Sequence, residues 1–319
     1  MSDRVLAVIV SYNPEIATLV ASINRLLASH CQVLVVDNAS ADQAQVEKAC
    51  AKLLDDAEHG ATLRQTQNHL SIKILDSNLG LAYAHNEGVK KMVDEGFDYL
   101  LLLDQDTVLS EDYLATLLSA YAAKSEQGIK ISAVGGSYAH GSQDQSVYIR
   151  FGALKFSRHG ADEQDQDGCV ATDFLISSGS LINLQALSEI GTMDEALFID
   201  HVDTEWFLRA RSKGYQAYGV PAAKMQHGLG EVTHVVNMAG RQRNVPQHKP
   251  FRYYYIFRNS ILLYRRGYVS WLWKWNDFQR LLMIFIMFAL LKPPRLQNAR
   301  MMLKGFWHGV RGKVGELSE

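Results

Sequence analysis

A chain of 319 residues, 47% hydrophobic and 21% charged, can bury one large core, or one core and a small appendage, without disulfide support. Cys31, Cys50 and Cys169 are odd in number and show neither CxxC nor framework spacing, which excludes a disulfide scaffold and points to a reducing compartment. The net charge of −2 hides a division: residues 1–240 carry 17 Lys and Arg against 31 Asp and Glu, whereas residues 241–313 carry 15 Lys and Arg with Asp277 as their only acid. The acidic stretch reads as a soluble domain over 1–240, and the basic stretch over 241–319 as an extension that faces something anionic.

The N-terminal MSDRVLAVIV has an apolar run too short for a signal peptide and no small-residue cleavage site, so it reads as a first strand and the expected location is cytoplasmic. From there, short apolar runs alternate with amphipathic stretches of helical length. Val5–Val10, Val33–Val36, Ile72–Leu75 and Tyr99–Leu103 read as strands. Glu15–Ser29, Asp42–Asp55 and Leu79–Glu95 read as helices between them. The fold class is therefore α/β, an open, mostly parallel sheet flanked by helices.

Ligands of such sheets bind beyond the carboxyl ends of the strands, and the residues there are polar after every run. They are Ser11-Tyr12-Asn13-Pro14, Asp37-Asn38-Ala39-Ser40, Asp76-Ser77-Asn78 and Asp104-Gln105-Asp106. Residues 137–168 are rich in Gln, Asp and Ser and read as an excursion from the sheet, with a strand near Val147–Phe156. Phe174–Ile182, which contains Ser178-Gly179-Ser180, returns to the core, and a helix follows over Asp203–Arg211. There is no internal repeat, no GxGxxG and no GxxxxGK[ST], which argues against a dinucleotide oxidoreductase and a P-loop enzyme.

Three segments carry candidate chemistry. Asp104 and Asp106, one residue apart at a strand end, suit a hard divalent cation that bridges to diphosphate oxygens; the competing reading has Asp104 cap a turn while Asp106 is solvated. His227 follows a short strand, with Gly228 and Gly230 beside it, and is either a third ligand or a structural histidine. Phe198–Trp206 concentrates Asp200, Asp203 and Glu205 at a helix start, where one carboxylate could take an acceptor proton, or where all three merely cap.

In order, VIVSYNP, VVDNASAD, SNLGLAYAHNEG, LLLLDQD, SGSLI, FIDHVDTEWFLRA and QHG resemble the family 2 glycosyltransferases of the GT-A fold, most closely bacterial rhamnosyltransferases of polysaccharide and O-antigen assembly. The resemblance implies that Ser11, Tyr12, Asn13, Asp37, Asn78, Gly80, Asn86 and Asp104 bind the nucleotide-sugar. It further implies Asp104, Asp106 and His227 as ligands of Mg²⁺ or Mn²⁺, Asp203 as catalytic base, and Ser178, Gly179, Glu205 and Trp206 beside the acceptor. The implied reaction inverts configuration, transferring a sugar, dTDP-rhamnose being the implied donor, to a saccharide or lipid-linked acceptor. UDP-galactofuranose and UDP-glucose are rival donors. A sugar-nucleotide pyrophosphorylase would need a Gly- and Arg/Lys-rich loop where this chain has Ser-Tyr-Asn-Pro, and a non-catalytic membrane scaffold would make the acid pairs incidental.

The tail completes the expectation. Leu281–Leu291 is an apolar run of 11 residues between Arg280 and Lys292, where a spanning helix needs about 20. With Trp271, Trp273 and Trp275 and the surrounding cations, it reads as a peripheral anchor on the anionic inner face of the cell membrane; the alternative is a buried core helix. No nucleic-acid recognition module is present.

Overall fold

A computed structural model of the chain describes residues 4–59, 69–140, 143–144, 148–152, 156–227, 233–238 and 241–317. Two compact units emerge, one of Met1–Glu195 with Val202–Gly228, the other of Ala196–His201 with Leu229–Glu319.

In the first unit, strands β1 (Val5–Ser11), β2 (Gln32–Asp37), β3 (Leu70–Ile74) and β4 (Tyr99–Asp104) alternate with helices α1 (Ile16–Ala28), α2 (Gln43–His59) and α3 (Leu81–Glu95). Then follow β5 (Thr107–Leu109), α4 (Tyr113–Glu126), β6 (Ile131–His140), β7 (Gln143–Asp144), β8 (Tyr148–Phe151), β9 (Phe156–His159), β10 (Val170–Thr172), β11 (Ser180–Asn183), α5 (Leu184–Ile190), α6 (Val202–Ser212) and β12 (Gln216–His227). The main sheet runs β10-β12-β6-β11-β4-β1-β2-β3, with β5 pairing β12 and β7 pairing β6. Strands β3, β2, β1 and β4 are parallel, β11 is antiparallel to both β4 and β6, and β12 is parallel to β6.

The unbroken runs VLAVIVS and YLLLLD are what a central strand covered on both faces requires, and every residue of β1 is buried. Burying each Val or Leu stabilises the fold by about 1.5–3 kcal/mol relative to exposure. Helix α3 lies close on β1 because residue 88 is glycine: a Cβ there would meet Val8 Cγ2 at 2.4 Å. The excursion is a hairpin rather than one strand, β8 against β9, with Val147 and residues 153–155 outside the described residues.

The second unit holds an antiparallel pair, β13 (Thr233–Met238) and β14 (Arg241–Pro246), and helices α7 (Pro250–Tyr264), α8 (Trp271–Phe285), continued by a π-helical stretch over Ile286–Leu291, and α9 (Arg295–Val310). Glycines let α9 lie against α7, since a Cβ at Gly305 would meet the Tyr254 carbonyl oxygen at 2.3 Å. Tyr253, Ile256, Leu281, Ile284, Met287, Phe288 and Met302 form the core. The run Leu281–Leu291 is thus two-faced: Leu281, Ile284, Met287 and Phe288 are buried, whereas Leu282, Ile286, Leu290 and Leu291 are exposed. Among the described residues no helix is long and apolar enough to cross a membrane.

Candidate active site

The carboxyl ends of β1, β2 and β3 are knitted together by hydrogen bonds of their loop side chains, to backbone and to one another. Asp37, fully buried at the end of β2, accepts from Ser11 Oγ at 2.9 Å, Ser40 N at 2.9 Å and Ser40 Oγ at 2.6 Å. Asn13 N donates to Ser40 Oγ at 2.7 Å, and Asn13 Oδ1 accepts from Ala41 N at 2.8 Å. Asn13 and Ala39 both adopt left-handed backbone conformations, φ 50° and 64°. Such strain gathers where a loop is shaped for a ligand.

Asn38 extends the network to the third loop. Its amide donates to Asn78 Oδ1 at 3.0 Å while its own Oδ1 accepts from Leu79 N at 2.9 Å. Asn78 Oδ1 also accepts from Gly80 N at 3.0 Å, and Gly80, φ 91°, is the N-cap of α3, a conformation that requires glycine. Asn86, one turn into α3, instead holds the 190s loop, donating to Met193 O at 3.0 Å and Glu195 Oε1 at 2.7 Å and accepting from Met193 N at 2.9 Å.

Asp104 ends β4 and Asp106 sits in the turn to β5. Between them Gln105 accepts from Tyr12 N at 2.6 Å, tying the acidic turn to the exposed Tyr12. Below the turn, Ser178 Oγ accepts from Asp104 N at 3.0 Å and bonds Thr107 Oγ1 at 2.7 Å. Gly179, φ 80°, leaves space filled by Tyr113, whose hydroxyl would lie 2.4 Å from an added Cβ. In the β5–β12 ladder His227 stands opposite Thr107, so its Cα is one residue removed from Asp106's partner position. The His227 side chain, Gly228 and Gly230 lie outside the described residues.

Asp203 occupies the first turn of α6, its Oδ1 accepting from Thr204 N at 2.7 Å, and it lines a small cavity with His85, Ser177, Met193, Trp206 and Phe207. Its neighbours on the helix are engaged with protein. Glu205, buried, accepts from Arg209 Nε at 2.9 Å and Nη2 at 2.8 Å, and Arg209 also donates to Ile190 O and Thr192 O. Trp206, also buried, donates from Nε1 to Gly191 O at 2.8 Å. Asp200 belongs to the second unit, where Arg252 Nη2 donates to it at 2.5 Å.

Two comparisons bear on the family. The profile of "Glycosyl transferase family 2" matches residues 6–191. A dTDP-rhamnosyl transferase, RfbF, of Shigella flexneri is 32% identical over 274 residues, 84% of this chain and 82% of that protein. The chain belongs to glycosyltransferase family 2. Its fold matches solved structures of glycosyltransferases: GalNAc-T7 with UDP, GalNAc and Mn²⁺ (TM-score 0.55, 13% identity, 97% of this chain and 56% of that one) and S. aureus TarS 1–349 in complex with UDP-GlcNAc (TM-score 0.54, 14% identity, 96% and 81%). At these identities the likeness concerns the fold alone.

Membership gives the geometry its meaning. The glycosyltransferase presents its polar loops on one sheet edge, as the strand ends require. The donor set at Asp104 and Asp106 fits a hard divalent cation, because Mg²⁺ is commonly held by one or two carboxylates plus substrate phosphates instead of an all-protein cage. Among the described residues no group of three His, Cys, Asp or Glu side chains is arranged to hold a metal ion. Gln105, Asn38 and Ser40 are the site residues that motif reading passes over, each bonding backbone of a neighbouring loop. His85 is another: it falls on the α3 face marked by Ala82, Val89 and Met92, a face whose spacing already directs a polar ring inward.

Proposed function

We propose that this glycosyltransferase moves rhamnose from dTDP-rhamnose to a hydroxyl of a saccharide or lipid-linked acceptor, inverting the anomeric centre, in assembly of a surface polysaccharide. The observation that carries the donor is the 32% identity, over most of both chains, to a dTDP-rhamnosyl transferase. In this reading Ser11, Tyr12, Asn13, Asn78 and Gly80 form the nucleotide end of the cleft, and Asp37 acts by holding Ser11 and Ser40 in place. Asp104 and Asp106, with His227 if its side chain joins them, would hold Mg²⁺ or Mn²⁺, which would supply the charge neutralisation that the diphosphate leaving group needs. Asp203 accepts the proton of the acceptor hydroxyl as its oxygen bonds the anomeric carbon, and the electrons of the breaking C–O bond leave on the diphosphate. Ser178 and Gly179 support the acidic turn from below, and Glu205 and Trp206 stiffen the helix that carries the base.

Incubation with dTDP-rhamnose, UDP-galactose and UDP-glucose, with and without EDTA, tests this directly. Release of dTDP, abolished by EDTA and restored by Mg²⁺ or Mn²⁺, is expected; preference for a UDP-sugar overturns the donor, and turnover in EDTA overturns the metal.

The second unit favours an anionic membrane surface as partner, at the cytoplasmic face. Trp271, Trp275, Phe278, Leu282 and Ile286 recur every three or four residues along α8 and are all exposed, Trp271 at 78%. That is one helix stripe of apolar and interfacial side chains. Lys274, Lys292 and Arg295 lie on the same stretch, and each cation near anionic lipid contributes about 1 kcal/mol. Trp273 turns inward against Tyr264. Flotation of the full-length protein should show salt-sensitive binding to anionic vesicles and none to neutral ones; protein that stays unbound with both removes the membrane from the proposal.

A further inference from the structure

Gln105, between Asp104 and Asp106, has no part in the chemistry above, yet its contact crosses from one loop of the site to another. The ladder of β1 with β4 ends at Val10 opposite Asp104, and that of β1 with β2 at Ser11 opposite Asp37. Past these pairs the Tyr12 N–H donates to Gln105 Oε1 at 2.6 Å, so a side chain carries on where the backbone ladder stops. Only the oxygen of an amide can accept from an N–H, and the bond therefore fixes which way the Gln105 amide faces.

The two segments joined in this way are each held from their far sides. Ser11 Oγ donates to Asp37 at 2.9 Å. Asn13, left-handed at φ 50°, donates to Ser40 Oγ at 2.7 Å and accepts from Ala41 N at 2.8 Å. Across the joint, Ser178 Oγ accepts from Asp104 N at 3.0 Å and bonds Thr107 Oγ1 at 2.7 Å. Gln105 thus bridges two anchored pieces of chain, and a shift in one is passed to the other through its amide.

We propose that Gln105 is a positioning residue that couples the two ends of the donor site: by holding the Tyr12 peptide, it keeps the loop that takes the nucleoside in register with the acidic turn that takes the diphosphate. The inference rests on the reading of Tyr12 and Asn13 as nucleotide contacts and of Asp104 and Asp106 as the diphosphate end, and adds the link between them. The residue type suits the task. An amide is uncharged and adds nothing to the repulsion between two carboxylates and a diphosphate, as a third acid would. It also satisfies a backbone donor just beyond the end of a ladder, where losing the partner costs more than the bond itself is worth. Coupling of this kind is reciprocal: whatever fixes the acidic turn favours the loop conformation of Tyr12 and Asn13, and a bound nucleoside favours the turn in return.

The test measures dTDP binding by calorimetry in EDTA, where no divalent cation contributes, for the unaltered protein, Gln105→Met and Asp106→Ala. Gln105→Met keeps the length of the side chain without its acceptor, and affinity should fall about three- to tenfold, the size of one hydrogen bond, whereas Asp106→Ala should not weaken it. In turnover with Mn²⁺ the Gln105→Met change should appear mainly as a higher donor KM, with kcat falling less. Gln105→Glu keeps an acceptor oxygen and separates the bond from the filling of space. With thymidine as an uncharged probe, followed by NMR titration, it should bind like the unaltered protein, and Gln105→Met should bind more weakly. Unchanged dTDP affinity in Gln105→Met, with only the melting temperature lowered, would make the residue a packing element and overturn the inference, as would thymidine binding by Gln105→Glu no better than by Gln105→Met. Should Gln105→Met not fold, Gln105→Asn, whose oxygen falls one methylene short of the Tyr12 N–H, takes its place in every comparison. The underlying reading fails separately: unaltered protein that binds dTDP neither in EDTA nor with Mn²⁺ removes the nucleotide site itself, and the coupling with it.

Discussion

The two units differ in the apolar surface they expose. In the first, apolar strands are covered on both faces, and the polar side chains at one sheet edge, Ser11, Asp37, Asn38 and Ser40 among them, are buried and bonded to neighbouring loops. In the second, Arg258, Asn259, Asp277 and Asn298 are likewise buried, while Trp271, Leu282, Leu296 and Leu303 are exposed. A unit meant only to be solvated has no reason to place that much apolar surface outside. The proposed reading gives the first unit the nucleotide-sugar site and the second the contact with a less polar phase.

The largest effects should come from the cleft. On the proposed roles, Asp106→Ala removes a carboxylate from the diphosphate end, and Asp203→Asn removes the proton acceptor while keeping shape. Each should lower sugar transfer by roughly 10²- to 10⁴-fold with little change in melting temperature. Asp106→Ala should also weaken donor binding, read by calorimetry in the presence of Mn²⁺, whereas Asp203→Asn should leave it intact. Equal loss of donor affinity in both variants would erase the functional distinction between the two ends of the cleft.

Next in size is the buried polar framework of the second unit. Asn259 Nδ2 donates to Leu197 O at 2.9 Å, Ile199 O at 2.8 Å and Asp200 O at 2.8 Å, and Arg258 Nη2 donates to Leu197 O at 2.9 Å. They hold a segment in which Phe198, Asp200 and His201 all adopt left-handed backbone conformations, φ 64°, 61° and 63°. Non-glycine residues in that region cost of order 1–3 kcal/mol each unless their surroundings enforce it. Asn259→Leu should reduce unfolding free energy by about 2–4 kcal/mol in a denaturant titration, the cost of stranding buried carbonyls. A loss under 1 kcal/mol would mean the segment keeps its conformation unaided.

The pH response should be smaller and should belong to the first unit. His85 is held at about 4 by burial, against an ordinary value near 6.5, so the unfolded chain binds its proton first as pH falls. Where the unfolded state binds more protons, stability rises with pH, and the stability lost on acidification is therefore released between about pH 6.5 and 4. From pH 7 to pH 5 this group alone should remove about 2 kcal/mol. In His85→Leu that slope should flatten by the same amount; an unchanged slope would show that the imidazole gains its proton in the folded state.

The mildest change is on the apolar stripe. Trp271→Ser with Trp275→Ser should leave melting and turnover on a soluble acceptor unaltered, since both side chains are exposed, yet weaken binding to anionic vesicles by about tenfold or more. Loss of melting temperature in this pair would place the stripe inside the fold and dissolve the contrast between the units.

Much of the first unit could be read from the sequence because its signals are local. The four apolar runs became β1 to β4 within a residue or two; for β1, β2 and β4 the reason is that a strand buried on both faces needs no partner knowledge to be recognised, whereas β3 is a half-buried edge strand. The family motifs likewise announce themselves by order. What each motif residue touches is another matter. Asp37 stands behind Ser11 and Ser40, and Glu205 is clasped by Arg209, because those contacts join residues from elements whose packing no single segment encodes. The stretch Ala196–His201 is the sharpest case: it runs without a break into α6, and nothing in FIDHVD says that its first residues answer to donors near residue 258.

That dependence has a consequence for a chain emerging from the ribosome. The carbonyls of Ala196 and Leu197 are synthesised about sixty residues before the Arg258 and Asn259 side chains that bond them, the separations being 62, 61 and 62 positions. At roughly 5–20 residues per second, the segment waits about 3–12 seconds for those donors. During that interval the left-handed turns at Phe198, Asp200 and His201 have no enforcement from α7. Their conformation is therefore completed by side chains that the ribosome adds about sixty residues later.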